Sequence, residues 1–246
     1  MTGLRRRVQS GARCIGLFVT IPSPIVVEIA AASGADFVCI DQEHGTVSPG
    51  QLENMLRAAD LGRVPALVRV QGVDPMAIAT ALDCGAEGVL VPRVNSAHEA
   101  RQAVAAARFP PEGRRGAGPG RSSGYGRDIP AGIARAREST LVAVQIETVE
   151  GMEAAPEIVA VPGIDLVFVG PGDLSVCLGA AGRGGETEAA ITRIRDAAAA
   201  AGLPSGIFCM TRADAETRIG EGFALAACGS DVSHLIAVLD ATFRPG

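Results

Sequence analysis

The sequence predicts a (β/α)8 TIM barrel of the α/β class. Three observations carry that reading. Eight short apolar runs of strand length recur along the 246 residues, and most are followed by a segment with helical periodicity. The runs are unbroken rather than alternating, which suits parallel strands covered on both faces. Eight such units in about 250 residues fit a closed barrel better than an open doubly wound sheet. One domain over residues 1–246 is therefore expected.

The first strand is expected over 15–20. With Arg5-Arg6-Arg7 before it, this stretch imitates a secretion signal, but the run is short and Pro22, Pro24 and Glu28 follow without a small-x-small cleavage site. A helix is expected over 24–33, then strand 37–41. Helix 49–61 opens with Ser48-Pro49, a cap residue before a first-turn proline, and after strand 66–70 helix 74–84 opens the same way with Asp74-Pro75. Strand 88–92 precedes helix 96–109. Its surroundings, Ala86-Glu87-Gly88-Val89-Leu90, partly echo Ala35-Asp36-Phe37-Val38-Cys39, as repeated β–α units would. Residues 110–127, rich in Gly, Arg, Ser and Pro, read as an irregular loop with a functional or interface role, since strands flank them. Strand 142–147, helix 151–161 and strand 166–170 follow. A Gly-rich loop over 179–185, helix 186–202, strand 205–209, helix 212–220, strand 223–228 and helix 231–243 complete the barrel.

Composition excludes several chemistries. All 22 basic residues are Arg, and without Lys no Schiff base to substrate or to pyridoxal phosphate can form. A net charge of -5 with 3% aromatic residues offers neither the basic stripe nor the stacking platform that nucleic acid requires. No stretch reaches the roughly 20 uninterrupted apolar residues of a membrane span. The six Cys are scattered without a C-x-x-C pair and read as buried free thiols of a reducing compartment, so a cytoplasmic location is expected.

Barrel active sites gather polar residues at the C-terminal ends of strands. Four strands deliver them here: Asp41-Gln42-Glu43-His44-Gly45, Arg69, Gln145-Ile146-Glu147 and Gly170-Pro171-Gly172-Asp173. Any one alone is commonly a helix cap or a surface group, but four clusters at one rim are harder to dismiss. Glu147 and Asp173 belong to neighbouring strands and their carboxylates can converge on one cation. An oxygen-only pair suits Mg2+ or Mn2+ better than Zn2+; two separate caps or ion pairs are the alternative. His44 alone among three His stands at such a strand end, where a neutral imidazole can move a proton near pH 7. His98 and His234 lie in predicted helices and read as solvated or packing residues. Arg69, inside an apolar strand, needs an anionic partner, which a substrate carboxylate or a developing enolate would provide.

The segments Asp41-Gln42-Glu43-His44-Gly45, Val68-Arg69-Val70, Asp83-Cys84-Gly85-Ala86-Glu87-Gly88, Gln145-Ile146-Glu147-Thr148 and Gly170-Pro171-Gly172-Asp173 resemble the HpcH/HpaI family of metal-dependent pyruvate aldolases, in order from about residue 14 to 179. The resemblance implies that Glu147 and Asp173 hold a divalent metal, Mg2+ or Mn2+ with Co2+ also possible. It implies that Gln145 and the backbone at Gly172, beside Asp173, contact the substrate's pyruvyl group. Arg69 would stabilise the enolate, and His44 would take the proton of the aldol hydroxyl, with Asp83 raising its basicity. The implied reaction is reversible cleavage of a 4-hydroxy-2-oxo acid into pyruvate, or a related 2-oxo acid, and an aldehyde. The absence of Lys agrees independently, because an aldolase without Lys needs a metal as electron sink.

Asp83 ends a predicted helix below strand four, whereas His44 follows strand two at the other rim, about 17–20 Å away. If Asp83 tunes His44, as the resemblance implies, it serves the His44 of another protomer, in a homo-oligomer that the resemblance implies to be a hexamer, a trimer of dimers; the alternative is that Asp83 simply caps its helix. The chain departs from the family pattern at Leu17-Phe18, Ser23-Pro24, Tyr125 and Gly172, positions where the acceptor aldehyde is expected to sit. Those departures leave room for a biosynthetic enzyme that adds an oxaloacetate- or pyruvate-derived enolate to a larger acceptor. A non-catalytic binding barrel would instead show losses among His44, Arg69, Glu147 and Asp173, and all four are present. A phosphate-binding isomerase finds thin support in Cys209-Met210-Thr211 and Cys228-Gly229-Ser230.

Overall fold

In a computed structural model describing residues 3–244, eight parallel strands close into a barrel in chain order. They are β1 (Cys14–Val19), β2 (Val38–Asp41), β3 (Ala66–Arg69), β4 (Gly88–Val91), β5 (Leu141–Ile146), β6 (Leu166–Val169), β7 (Ser205–Cys209) and β8 (Leu225–Ser230). Each expected strand is present within two residues of its expected bounds, and β1 pairs with β8 to shut the ring.

Twelve helices surround them: α1 (Leu4–Gln9), α2 (Pro24–Ala32), α3 (Pro49–Gly62), α4 (Pro75–Asp83), α5 (Ala97–Ala107), α6 (Ile129–Ser139), α7 (Val149–Glu153), α8 (Ala155–Val159), α9 (Pro171–Ala180), α10 (Thr187–Ala200), α11 (Arg212–Gly220) and α12 (Asp231–Phe243). The two predicted starts are as read: Ser48 makes a capping box with Gln51, and Asp74 accepts from the Met76 amide. Four elements differ from the sequence reading. The single helix expected over 151–161 is two short ones, broken at Ala154 ahead of Pro156. Residues 110–127 hold a 3-10 turn (Arg121–Ser123) and lead into α6, whose start Asp128 caps. The Arg-rich start is helix α1, and α9 begins directly after β6.

Strand side chains alternate between two cores. One face packs outward against the helices, through Val38, Ile40, Val68, Val89, Val142, Val144 and Val167 among others. The other fills the barrel with Cys14, Phe18, Cys39, Leu67, Leu90, Leu141, Ala143, Leu166 and Phe168. Leu4 and Val8 of α1 join that inner cluster and close its N-terminal end. Gly16 is needed in β1 because a Cβ there would stand 2.1 Å from the Phe37 carbonyl.

All six Cys are free thiols; Cys14, Cys39 and Cys209 are buried, and Cys84, Cys177 and Cys228 only partly so. No described helix is long and apolar enough to cross a membrane. Helix α12 buries only Asp231 and leaves Leu235, Ile236, Val238, Leu239 and Phe243 exposed.

Candidate active site

The inner alternation of the strands places the site. Continuing inward from Cys39 puts Asp41 inside the mouth; from Leu67 it reaches Arg69, and from Ala143 it reaches Gln145 and then Glu147. Lower layers are apolar and fill the barrel, so polarity starts abruptly at its C-terminal end. Asp41, Arg69, Gln145 and Glu147 are all buried.

Arg69 donates to Asp41 through Nε (2.9 Å) and Nη2 (2.6 Å). Its Nη1 stands 3.1 Å from Glu43 Oε2, an ion pair without hydrogen-bond alignment. The guanidinium lies over the Phe18 ring at 4.6 Å from its centroid. Burial works against the charge on Arg69, but the hydrogen bond and charge of Asp41 outweigh it and hold the group above its ordinary value. Asp41 Oδ1 also accepts from the amides of Glu43 (3.1 Å) and His44 (3.4 Å), so the ion pair fixes the loop after β2. His44 itself is exposed, with Nε2 at 3.9 Å from Glu43 Oε2.

Glu147 is gripped from two sides. Gln145 Nε2 donates to its Oε2, and the Arg93 amide donates to Oε1 at 2.9 Å, with Arg93 in the left-handed region at φ 53°. Burial first, then the charge of Glu43, push its carboxyl above the ordinary range, with Asp173 adding to the rise. Glu43 is raised as well, chiefly by burial, with Asp41 and Asp173 contributing against the opposing charges of Arg69 and His44. Asp173 is exposed in the first turn of α9, where the amides of Gly172 and Asp173 have no helical acceptor. Gly170, at the N-cap, makes room: a Cβ there would stand 2.6 Å from Glu147 Oε2 and 2.8 Å from Gln145 Nε2.

The donors fit a hard divalent cation. Glu147 and Asp173 present only oxygens, and the neighbouring Glu43, whose charge opposes that of Glu147, is paired with the Arg69 guanidinium. Glu43 Oε2 and Gln145 Oε1 are buried acceptors without a hydrogen-bond donor among the described residues. No group of three or more His, Cys, Asp or Glu is gathered as a metal-ligating cluster among the described residues, so a two-carboxylate set leaves the remaining positions to substrate and water.

Glu43, Arg69, Gln145, Glu147 and Asp173 thus share one mouth, with His44 at its rim. Asp83 is not among them: it ends α4 below β4 and takes a 2.6 Å ion pair from the buried Arg115. Of the departures expected on the acceptor side, Phe18 is instead buried under Arg69, because β1 turns it inward against Phe168 and Phe208. Tyr125 lies against α3, 3.4 Å from Glu53 Oε1. Gly172 has open space where a Cβ would stand. Sequence reasoning missed Asp41 and Glu43 as individual residues, although the inward register of Cys39 already pointed at Asp41.

Comparison with known proteins gives the chain a family. A family model described as HpcH/HpaI aldolase/citrate lyase matches residues 14–237. The hydroxypyruvate/pyruvate aldolase of Paraburkholderia phytofirmans is 34% identical over 244 residues, covering 95% of this chain and 93% of the relative. The 2-keto-3-deoxy-L-rhamnonate aldolase of Escherichia coli K12 is 35% identical over 254 residues, covering 98% and 93%. The crystal structure of an HpcH/HpaI aldolase/citrate lyase family protein from Burkholderia cenocepacia J2315 superposes with a TM-score of 0.91 at 32% identity, covering 98% and 97%. A (β/α)8 barrel whose mouth gathers these carboxylates about one arginine, matched over nearly its whole length, belongs to the HpcH/HpaI aldolase/citrate lyase family and is a carbon–carbon lyase.

Proposed function

We propose that the enzyme reversibly cleaves a 4-hydroxy-2-oxo acid into pyruvate, or a related 2-oxo acid, and an aldehyde. The observation that carries this reading is the barrel mouth, where the buried Glu147 and the first turn of α9 bearing Asp173 adjoin one buried guanidinium, Arg69, paired with Asp41 and Glu43. The relatives named as hydroxypyruvate/pyruvate and 2-keto-3-deoxy-L-rhamnonate aldolases support the substrate class.

Glu147 and Asp173 hold a divalent cation, Mg2+ or Mn2+. When bound, it supplies Lewis-acid polarisation of the 2-oxo acid's carbonyl. The amides at the start of α9 receive the substrate carboxylate, where helix N-termini favour anions. Gln145 orients Glu147 and keeps its Oε1 for a donor brought by the ligand or its water. His44 accepts the proton of the 4-hydroxyl as the bond between C3 and C4 breaks, and the aldehyde leaves. Arg69, its guanidinium held in place by two hydrogen bonds to Asp41, faces the negative charge that develops on the pyruvate enolate. Protonation at C3 then gives pyruvate.

Asp83 reaches a His44 only from another protomer, since in its own barrel it sits at the opposite rim paired to Arg115. The exposed apolar residues of α12 support a homo-oligomer, on the family pattern a hexamer built as a trimer of dimers. The experiment that tests the function is a metal-dependent exchange assay between pyruvate and a panel of short hydroxy- and semialdehydes. Carbon–carbon bond formation with pyruvate that requires added metal is the expected result; turnover of oxaloacetate alone, with no aldehyde accepted, would overturn it.

A further inference from the structure

At the end of the barrel opposite the mouth, a cavity of about 400 Å3 opens between α1, the end of α5, α6 and the turn before β6. Its walls are of two kinds. Val104, Ala107, Phe109 and Pro162 are apolar, and Arg5, Arg108 and Arg137 bring three guanidinium groups.

The charges around it do not balance. Asp165 serves both Arg5 (2.8 Å) and Arg108 (2.6 Å) while also accepting from the Val142 amide. Among the described residues, Arg137 has a carboxylate partner only in Glu112, at 3.5 Å, with both side chains about half exposed. Three guanidiniums therefore face two carboxylates, one of them loosely held. Their remaining bonds go to carbonyls: Arg5 to Arg137 and Glu138, Arg108 to Thr140 and Gly163, Arg137 to Pro110. Among the described residues, Arg5 Nη2 and Arg137 Nη1 donate to nothing.

We propose that this cavity binds a small organic anion, a carboxylate carried on an apolar body. The volume is that of a small-ligand site. The unused guanidinium donors match a carboxylate, and the apolar walls match the rest of the molecule, which a bare inorganic anion would leave unfilled. The site is remote from the catalytic carboxylates, so its occupant is an effector rather than a substrate. Arg108 and Asp165 hold Thr140, Val142 and Gly163, which begin or precede β5 and β6. Strand β5 carries Gln145 and leads to Glu147, and β6 leads to Asp173, so an occupant bears on the scaffold of the mouth.

The test is calorimetric titration of the metal-loaded, full-length enzyme with benzoate while saturating pyruvate occupies the mouth. One benzoate should bind per chain, benzyl alcohol should not, and inorganic phosphate should bind at least about tenfold more weakly. Arg137→Gln should weaken benzoate about tenfold or more, whereas Glu112→Gln should strengthen it by removing a competing carboxylate. Opposite shifts from two exposed side chains cannot arise from a common folding defect. Displacement of benzoate by pyruvate, equal binding of phosphate, or no change in either variant would overturn the proposal.

Discussion

Asp41 and Arg69 are register partners on β2 and β3, and they close a two-bond ion pair inside the barrel mouth. The pair joins two functions. Asp41 Oδ1 also accepts from the amides of Glu43 and His44, so the carboxylate that holds the guanidinium proposed to face the enolate also fixes the loop that carries His44. Truncating either residue therefore disturbs both.

Arg69→Ala leaves Asp41 buried and unpaired, and breaking a buried pair costs about 3–5 kcal/mol. Urea denaturation should show that loss, and Arg69→Ala with Asp41→Asn should recover most of it without recovering activity. Enolate formation should fall in every assay, oxaloacetate decarboxylation included. An unchanged urea midpoint for the single variant would contradict the buried-pair account.

Glu147→Gln and Asp173→Asn should each abolish aldol activity while the barrel stays folded. Glu147→Gln also removes a carboxylate that burial and Glu43 disfavour, so its melting temperature should hold or rise. Chelator treatment of the native enzyme should have the same effect on activity, reversed by Mg2+ or Mn2+. Activity that survives either substitution at low metal concentration defeats the ligand assignment.

His44→Ala should lose aldol cleavage by about 100- to 10,000-fold, the range of general-base assistance, yet retain some exchange of pyruvate protons. Mixing it with Asp83→Ala under subunit exchange should restore part of the activity, because mixed oligomers then contain contacts bearing an intact pair. Demonstrated exchange without recovery would rule out the shared site.

The two glycines of the β6–α9 turn should respond differently to alanine. At Gly170 the methyl meets Glu147 Oε2 and Gln145 Nε2, and activity should fall at least about tenfold, the effect of a small misplacement at a reacting centre. At Gly172 the space is open, and the methyl should leave kcat/KM for pyruvate nearly unchanged. Steady-state kinetics of the two variants against pyruvate and one aldehyde decide the matter.

Periodicity along the chain was enough to locate eight strands and to place Arg69, Gln145, Glu147 and Asp173 at one rim, because strand length and apolar runs are local properties. The proline-led starts of α3 and α4 were legible for the same reason. Helices α6 and α9 were not: α6 follows an irregular Gly- and Arg-rich stretch and buries only Gly132, and α9, which buries only Leu174 and Leu178, shows no clear apolar stripe.

The residues themselves determined the chemistry available, since a chain without Lys and with carboxylates at strand ends has oxygen ligands but no amine nucleophile. Only the closed barrel decided which of them meet. Its closure turned Phe18 under Arg69, set Asp41 opposite that arginine, drew Glu43 toward the same guanidinium and sent Asp83 to Arg115 at the far rim. Such pairings depend on strand order and inward register around the ring, and these are non-local: residues 28 positions apart in Asp41 and Arg69 touch because neighbouring parallel strands share a register that no single segment encodes.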